Sequence, residues 1–245
     1  MTIGTGSTRA QHPSPDGPRR GRSIESAAVA GIVYAVLTIL ATIRLSRFPS
    51  LELSDAELAE WFDDDNHQAW LIGALSLISV AAVAFLWFVA VIRRRVGERE
   101  DQFFSTVFLG SGILYVAVML SGTAVLAAPA VAMTQLDAAA VSPASASLAA
   151  GIGGSLILVV APRLQAVFIF TTSTVILRSR VLPSWLAVIG YLSGLGLFLV
   201  PLVTRPAGLV FPAWVFAVSV VLLATRSADF AVEPDGDAVD PPGSR

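Results

Sequence analysis

One charged side chain, Arg163, falls well inside a long apolar stretch of this chain, with the amide of Gln165 two residues away. An arginine at the centre of a membrane helix costs about 2.5–3.5 kcal/mol, so such residues are kept for function more often than charges on a soluble surface are. We therefore expect Arg163 and Gln165 to face a cavity that holds a carboxylate, a phosphate or a lipid headgroup. The alternative is structural: Arg163 would bind an acidic loop or the carbonyls that Pro162 releases.

An acidic run, Asp63, Asp64 and Asp65, is followed by His67. Carboxylate oxygens are the ligands that hard divalent cations prefer, so these four residues form a candidate metal site. The run lacks the spaced ligands of a calcium loop, and a solvated helix end explains the same residues. The sequence implies no cofactor.

Hydroxyl groups are concentrated in one patch of the same apolar stretch: Thr171, Thr172, Ser173 and Thr174. Such hydroxyls can bond back to helix carbonyls, join neighbouring helices or line a path for a permeating molecule. Two pairs of small residues are spaced four apart: Gly190 with Gly194, and Ala27 with Gly31. This spacing predicts close packing of helices in a membrane.

Several functional classes lose support because the residues they need are missing. The chain has no cysteine, which excludes disulfides, iron–sulfur clusters and thiolate metal sites. No histidine or carboxylate lies in the interior of an apolar stretch, so intramembrane hydrolysis and the usual proton relay of transporters lack their groups. A net charge of −2 provides no field for nucleic acid. Binding, assembly or facilitated passage is therefore favoured over catalysis.

Composition and hydropathy place the chain in a lipid bilayer. Hydrophobic residues make up 55% and charged residues 14%, whereas soluble domains contain about 25% charged residues. Crossing roughly 30 Å of hydrocarbon takes about 20 apolar residues. Six stretches reach or approach this length: 24–43, 69–92, 103–127, 158–177, 182–203 and 207–225. Because backbone groups in lipid must bond within their own segment, the stretches predict an all-α transmembrane bundle of six spans.

The fourth stretch is longer than one upright helix requires. Its apolar sequence begins near Ser147 and ends at Leu177. Residues 147–157 are predicted to form either an outward helical extension or a dip into the membrane surface. Pro162 should kink the helix, since it lacks the N–H that bonds to the preceding turn.

Arginine placement predicts the orientation. With six spans, twelve arginines fall on one side and three on the other, so the positive-inside rule puts both termini in the cytoplasm. Segments 1–23 and 227–245 are polar and predict disordered tails around a transmembrane domain at 24–226. The acidic outer loop at 44–68 contains Ser54 and Glu57, a capping box that predicts a short helix from Asp55 to Phe62.

Four segments resemble a group of uncharacterised multi-pass membrane proteins of high-GC bacteria, which carry a domain of unknown function. These segments are Asp65-Asn66, FLWFVAVIRRR, TSTVILRSRVLPSWLAVIGYLSGL and LVFPAWVFAVSVVLL. The resemblance covers roughly residues 24–226 and implies a multi-pass protein of the bacterial plasma membrane. It adds no activity and no catalytic residue.

These observations predict a protein that is not an enzyme and whose main partner is the lipid bilayer. The first hypothesis is that it binds a lipid or small anion near Arg163, or assembles as a homo-oligomer or with a membrane partner. The alternative is a small transporter or facilitator whose path runs past Arg163 and Thr171–Thr174. An enzyme that modifies lipids through Asp63–His67 is a third and less favoured reading.

Overall fold

A computed structural model describes residues 17–48, 54–96, 102–135, 141–179, 182–199 and 208–231. Over these ranges the backbone is mainly helical and contains no strand. The described α-helices are α1 (Gly17–Leu45), α2 (Asp55–Phe62), α3 (Asp65–Val96), α4 (Gln102–Gln135), α5 (Pro143–Ser155), α6 (Ala161–Ser179), α7 (Ser184–Leu199) and α8 (Val210–Ala231). A π-helical turn, Leu156–Val160, joins α5 to α6. The prediction of an all-α protein is confirmed.

In the part of the chain that the structure describes, four helical segments are long and apolar enough to cross a membrane: Ser26–Leu45, Asp65–Arg93, Ser105–Thr134 and Pro143–Arg178. They correspond to the first four predicted spans. Two shorter apolar segments, Ser184–Leu199 and Val210–Thr225, fall where the fifth and sixth spans are predicted. The 16 residues of α7 give a length of about 24 Å, which is less than the hydrocarbon thickness of about 30 Å. The chain is therefore a multi-pass helical membrane protein with four helices of full spanning length.

Two helices extend into segments that the sequence predicts to be tails. The first begins at Gly17, ahead of the predicted boundary at residue 24, and α8 continues to Ala231. Each residue added to an existing helix gains one hydrogen bond, so a span can propagate into polar flanking sequence. Pro18 falls in the first turn of α1, where its missing N–H breaks no helix bond. Residues 1–16 and 232–245 of the predicted tails lie outside the described residues.

The long fourth segment is one continuous helical path. The backbone is in the right-handed helical region at both ends of the π turn. Pro162 has no N–H, so the regular bonding ladder cannot run through it. Just before it, the N–H of Ala161 donates to the carbonyl of Leu156, five residues earlier, which is the widened turn of a π-helix. Residues 147–157 therefore form the helical extension rather than a dip into the membrane surface.

Six helices form a closed ring. Each packs against the next in the order α1, α3, α4, α6, α7 and α8, and α8 returns to α1. Successive members of the ring are also successive along the chain, apart from the short α2 and α5. The interface between α7 and α8 is the smallest of the six. At one end of the ring, α2 packs against α5 and α3, and α5 packs against α4.

Aromatic side chains fill the interior of this ring. The Phe85 ring contacts five others, with centroids 4.7 to 6.2 Å away: Tyr34, Phe88, Tyr115, Phe168 and Phe211. All six side chains are at most 2% exposed. They come from α1, α3, α4, α6 and α8. Side chains of five helices therefore pack against one another in a single aromatic cluster.

The outer surface of the ring is apolar. On α1 the exposed side chains follow helical spacing: Val29, Val33, Val36, Leu40 and Ile43. The opposite side of α1 presents small residues and Tyr34 to the interior. An apolar outer face with small residues at helix contacts is what a lipid environment favours.

Candidate functional site

Arg163 lies in the first turn of α6 and is partly exposed. The side chains just before it, Leu158, Val159 and Val160, are also exposed. One guanidinium N–H donates to the Val159 carbonyl, one turn earlier. Among the described residues, no carboxylate lies within 4.0 Å of the guanidinium. Arg163 is thus a cation on the apolar outer surface of the bundle.

Gln165 lies on a different side of α6. Two steps along an α-helix rotate a side chain by about 200°, and Gln165 is only 6% exposed. Its amide lies beside the Tyr115 hydroxyl of α4. The structure therefore separates the two residues that the sequence grouped into one site. Any anion that Arg163 binds approaches from the outer surface, and Gln165 belongs to the interior.

Four polar side chains meet inside the ring. The hydroxyls of Tyr34 and Tyr115 share a hydrogen bond of 2.7 Å, and Gln165 approaches Tyr115 from α6. Thr38, one turn after Tyr34, is 3% exposed and faces the Tyr34 hydroxyl. A cavity of about 10 Å³ lies beside them and is lined by Tyr34, Thr38, Tyr115 and five apolar residues. Because α1 and α4 are not neighbours in the ring, the tyrosine pair bridges across its interior.

The acidic loop folds into the predicted short helix. The Ser54 hydroxyl and N–H donate to the Glu57 carboxylate at 2.7 and 2.9 Å, and the Glu57 N–H donates to the Ser54 hydroxyl at 3.3 Å. The predicted capping box and the helix Asp55–Phe62 are both confirmed. Leu58 and Phe62 are buried in a second apolar cluster with residues of α3, α4 and α5. Leu53, which could form a hydrophobic staple with Leu58 just before this helix, lies outside the described residues.

The candidate metal ligands do not converge. Three of them are exposed where α2 ends and α3 begins: Asp63, Asp64 and Asp65. In the part of the chain that the structure describes, no three histidine or acidic side chains come together. The His67 ring stacks on Trp61 at 4.3 Å, and its Nδ1 lies 3.0 Å from the Trp61 carbonyl and 3.9 Å from Asp64. The Asn66 N–H donates to Asp64 and holds the pKa of that carboxyl below its usual range. These contacts pack the end of α2 against the start of α3.

The capping box predicts a pH dependence of α2. The Ser54 hydroxyl, and then the Ser54 N–H, hold the pKa of Glu57 below its usual range. A carboxyl whose pKa is lower in the folded state stabilises that state above its unfolded pKa, and this stabilisation is lost as pH falls through the folded pKa. We expect hydrogen-exchange protection factors of α2 to fall in that acid range in the wild type.

Glu57→Gln should show lower protection of α2 at neutral pH and should lose this part of the acid dependence. Glu60→Gln is the matched control, since it removes an exposed carboxyl from the same helix without touching the box. An identical acid dependence in the wild type and Glu57→Gln would contradict the assignment.

The hydroxyl patch is largely bonded to its own helix. Thr171, Thr172 and Thr174 donate to carbonyls of the preceding turn. The Thr174 hydroxyl also lies 2.7 Å from the Tyr191 hydroxyl of α7. Ser173 is fully buried, and its hydroxyl makes no hydrogen bond to the described residues. These hydroxyls serve helix structure and the α6–α7 contact.

At two of the predicted small residues, Gly190 and Gly31, a serine hydroxyl of the neighbouring helix lies against the glycine backbone. A Cβ at Gly190 would lie 2.1 Å from the Ser173 Oγ of α6, and a Cβ at Gly31 would lie 2.1 Å from the Ser219 Oγ of α8. Such close approach to a glycine Cα suits a weak Cα–H···O contact between helices. The indole nitrogen of Trp214 also lies beside Gly190. Gly190 and Gly31 therefore stand at the α6–α7 and α8–α1 interfaces.

The other two predicted small residues also lie at helix contacts. A Cβ at Gly194 would meet the Phe170 ring of α6 at 2.8 Å. Ala27 of α1 is 1% exposed.

The backbones of α4 and α5 approach each other closely at glycines that the sequence did not single out. A Cβ at Gly153 of α5 would lie 2.8 Å from the Gly122 carbonyl oxygen and 2.9 Å from the Leu126 backbone nitrogen, both in α4. A Cβ at Gly122 would in turn meet side chains of the π turn at 2.9 Å. The two glycines let α5 and α4 touch through their backbones, directly before the π turn that leads to Arg163.

The interior cluster was also missed by sequence reasoning. The one local signal is the four-residue spacing of Tyr34 and Thr38, which places two hydroxyl side chains on one face of α1. Their partner Tyr115 is 81 residues from Tyr34, and no local pattern connects them.

The fold and these sites define an all-helical, multi-pass membrane protein with a packed aromatic interior and a partly exposed arginine beside a π turn. No protein-family model matches the chain, and no curated protein or solved structure is detectably similar to it. The chemistry of the described residues is therefore the guide to its function.

Proposed function

We propose that this is a six-span protein of the bacterial plasma membrane, with both termini in the cytoplasm, that binds an anionic headgroup at Arg163 without catalysing a reaction. The shared chemistry of the ligand is a phosphate or carboxylate oxygen. The observation that carries the proposal is a partly exposed guanidinium, without a carboxylate partner among the described residues, on a surface of exposed apolar side chains.

The six-span topology requires α7 and α8 to cross the membrane. Both are apolar, and both join the ring beside helices of full spanning length. A span a few ångströms too short is accommodated by local thinning of the bilayer at a modest cost. The excess of arginines on the side of both termini supports the orientation.

The depth of Arg163 suits a lipid headgroup. Arg178 marks the predicted cytoplasmic end of α6, and fifteen residues separate it from Arg163. At 1.5 Å per residue, Arg163 lies about 22 Å from that end, which leaves about 8 Å to the outer edge of a 30 Å hydrocarbon layer. An arginine side chain can cover most of this distance by extending towards the interface. The guanidinium would then meet phosphate groups of the outer leaflet.

The bond between the guanidinium and a helix carbonyl is what the structural alternative predicts, but it leaves N–H groups for an external anion. One of its five N–H groups donates to Val159. Arginine binds phosphate and carboxylate through paired N–H groups, and such charge-assisted bonds are shorter and stronger than neutral ones. The bond to Val159 holds the side chain in place beside the π turn while other N–H groups remain for a ligand.

The transport alternative has less support. A path past Arg163 and Thr171–Thr174 would use hydroxyls that are bonded to their own helix. The ring interior beside that path is filled by the aromatic cluster around Phe85.

Arg163→Leu tests the proposal by thermal unfolding in lipid nanodiscs. In pure phosphatidylcholine, whose phosphate is neutralised by its own choline group, we expect the variant to melt at least as high as the wild type, since a charge at this depth is costly. Adding phosphatidylglycerol should stabilise the wild type by about 1.5–3 kcal/mol, the range of hydrogen bonds to charged groups, and should leave Arg163→Leu unchanged. Arg163→Lys should keep part of the gain, because lysine retains the charge but not the planar fork.

Arg47→Leu is the control, since it removes an arginine that packs on Trp70 and should leave most of the phosphatidylglycerol effect intact. Titrating inorganic phosphate into phosphatidylcholine nanodiscs distinguishes a soluble anion from a lipid headgroup. An equal response of wild type and Arg163→Leu to both anions would reject binding at Arg163. Assembly with a membrane partner would then be the better proposal.

A further inference from the structure

Thr38 differs from most of the threonines in the described helices. Seven others donate their hydroxyl to a carbonyl of the preceding turn: Thr42, Thr123, Thr134, Thr171, Thr172, Thr174 and Thr225. The Thr38 hydroxyl is buried and lies near the Tyr34 hydroxyl, but no hydrogen bond of standard distance and angle joins it to a described residue. A hydroxyl in an apolar interior is costly unless it is bonded. Its partner must therefore be sought in the space that it faces.

That space is the cavity beside the tyrosine pair. Its volume of about 10 Å³ is close to the minimum that holds one water molecule, about 10–15 Å³ on this measure. Three of its eight lining residues, Thr38, Tyr34 and Tyr115, bring hydroxyl groups, and the other five are apolar. A buried water typically needs two to four polar partners, which is what these three hydroxyls supply.

The tyrosine pair has unused bonding capacity. Each hydroxyl can donate once and accept twice, and the bond of 2.7 Å between Tyr34 and Tyr115 uses one donor and one acceptor position. The Gln165 amide lies beside the Tyr115 hydroxyl. An acceptor position of Tyr34 therefore remains on the side that Thr38 faces.

We propose that this cavity is a specific binding site for a single water molecule. The Thr38 hydroxyl donates to the water, and the water donates to the Tyr34 hydroxyl. The result is a chain of hydrogen bonds from Thr38 of α1 through the tyrosine pair to Gln165 of α6. This site is separate from Arg163 and does not depend on anion binding there. Its structural role is to hold α1, α4 and α6 together through polar contacts at the centre of an apolar ring.

Infrared difference spectroscopy of the full-length protein in liposomes, before and after exchange into H₂¹⁸O, tests the site. The wild type should show an isotope-shifted O–H stretching band from a strongly bonded internal water. Thr38→Val keeps the shape of the side chain and removes the hydroxyl, so the band should disappear. Thr38→Ser, which retains the hydroxyl, should keep it.

Thr123→Val is the matched control, because Thr123 is equally buried but bonded to its own helix, and it should leave the band unchanged. If Thr38→Val does not fold, Tyr34→Phe removes the other partner of the water and should likewise abolish the band. A band that survives both Thr38→Val and Tyr34→Phe, or the absence of any such band in the wild type, would overturn the proposal.

Discussion

Replacing Gly153 with alanine should destabilise the protein, while the same replacement at Gly151 should not. The added methyl at Gly153 would lie 2.8 and 2.9 Å from backbone atoms of α4. Backbone atoms cannot rotate away as a side chain can, so α5 and α4 must move apart. Overpacking of this kind costs about 1–3 kcal/mol. At Gly151 no atom lies within 4 Å of an added methyl, and alanine gains up to about 1 kcal/mol in helix propensity over glycine.

The measurement is the free energy of unfolding of both variants in one detergent. We expect Gly153→Ala to be less stable than Gly151→Ala by about 1–3 kcal/mol, which is the overpacking cost, because the gain in helix propensity is the same at both positions of α5. Gly153→Ala should also weaken phosphatidylglycerol binding, because the contact it disturbs adjoins the π turn that carries Val159. Equal stability of the two variants would show that α5 and α4 do not meet through these glycines.

The second large effect is expected for Phe85→Ala. Phe85 is fully buried and contacts five aromatic rings contributed by α1, α3, α4, α6 and α8. In a membrane the unfolded reference is exposed to lipid rather than to water, so the usual transfer of an apolar side chain from water contributes little. The cost comes from lost packing: a cavity of roughly 100 Å³ at about 24 cal/mol per Å³ gives about 2–3 kcal/mol.

Leu86→Ala is the matched control, since Leu86 is the next residue of α3 and is 39% exposed on the outer surface. Its removal should change the free energy of unfolding by less than about 0.5 kcal/mol. Urea or detergent-denaturant titration of both variants measures the difference. If Leu86→Ala is as damaging as Phe85→Ala, the aromatic cluster is not the centre of the packed core.

The anion-site hypothesis shows where sequence reasoning stops. Hydropathy located Arg163 and Gln165 in one apolar stretch, but two positions two residues apart on a helix cannot face the same way. A stricter use of helical periodicity would have separated them. The packing of α6 against α4 decides which of the two side chains faces the interior. That packing depends on residues in distant segments of the chain.

Local sequence determined the features that depend on local chemistry. Runs of about 20 apolar residues required helices, because backbone groups in lipid must bond within their own segment. The Ser54–Glu57 spacing determined the start of α2, since a capping box closes over three residues. Pro162 determined that the bonding ladder would be interrupted there, because it has no N–H to donate.

Only the tertiary structure decided which of these helices meet and what they enclose. It closed six helices into a ring, paired Tyr34 with Tyr115 across 81 residues, and brought Gly153 against the backbone of α4. Such contacts arise from the fit of whole helix surfaces. In lipid that fit comes from packing and polar contacts rather than from apolar surface leaving water, so a hydropathy pattern does not encode it.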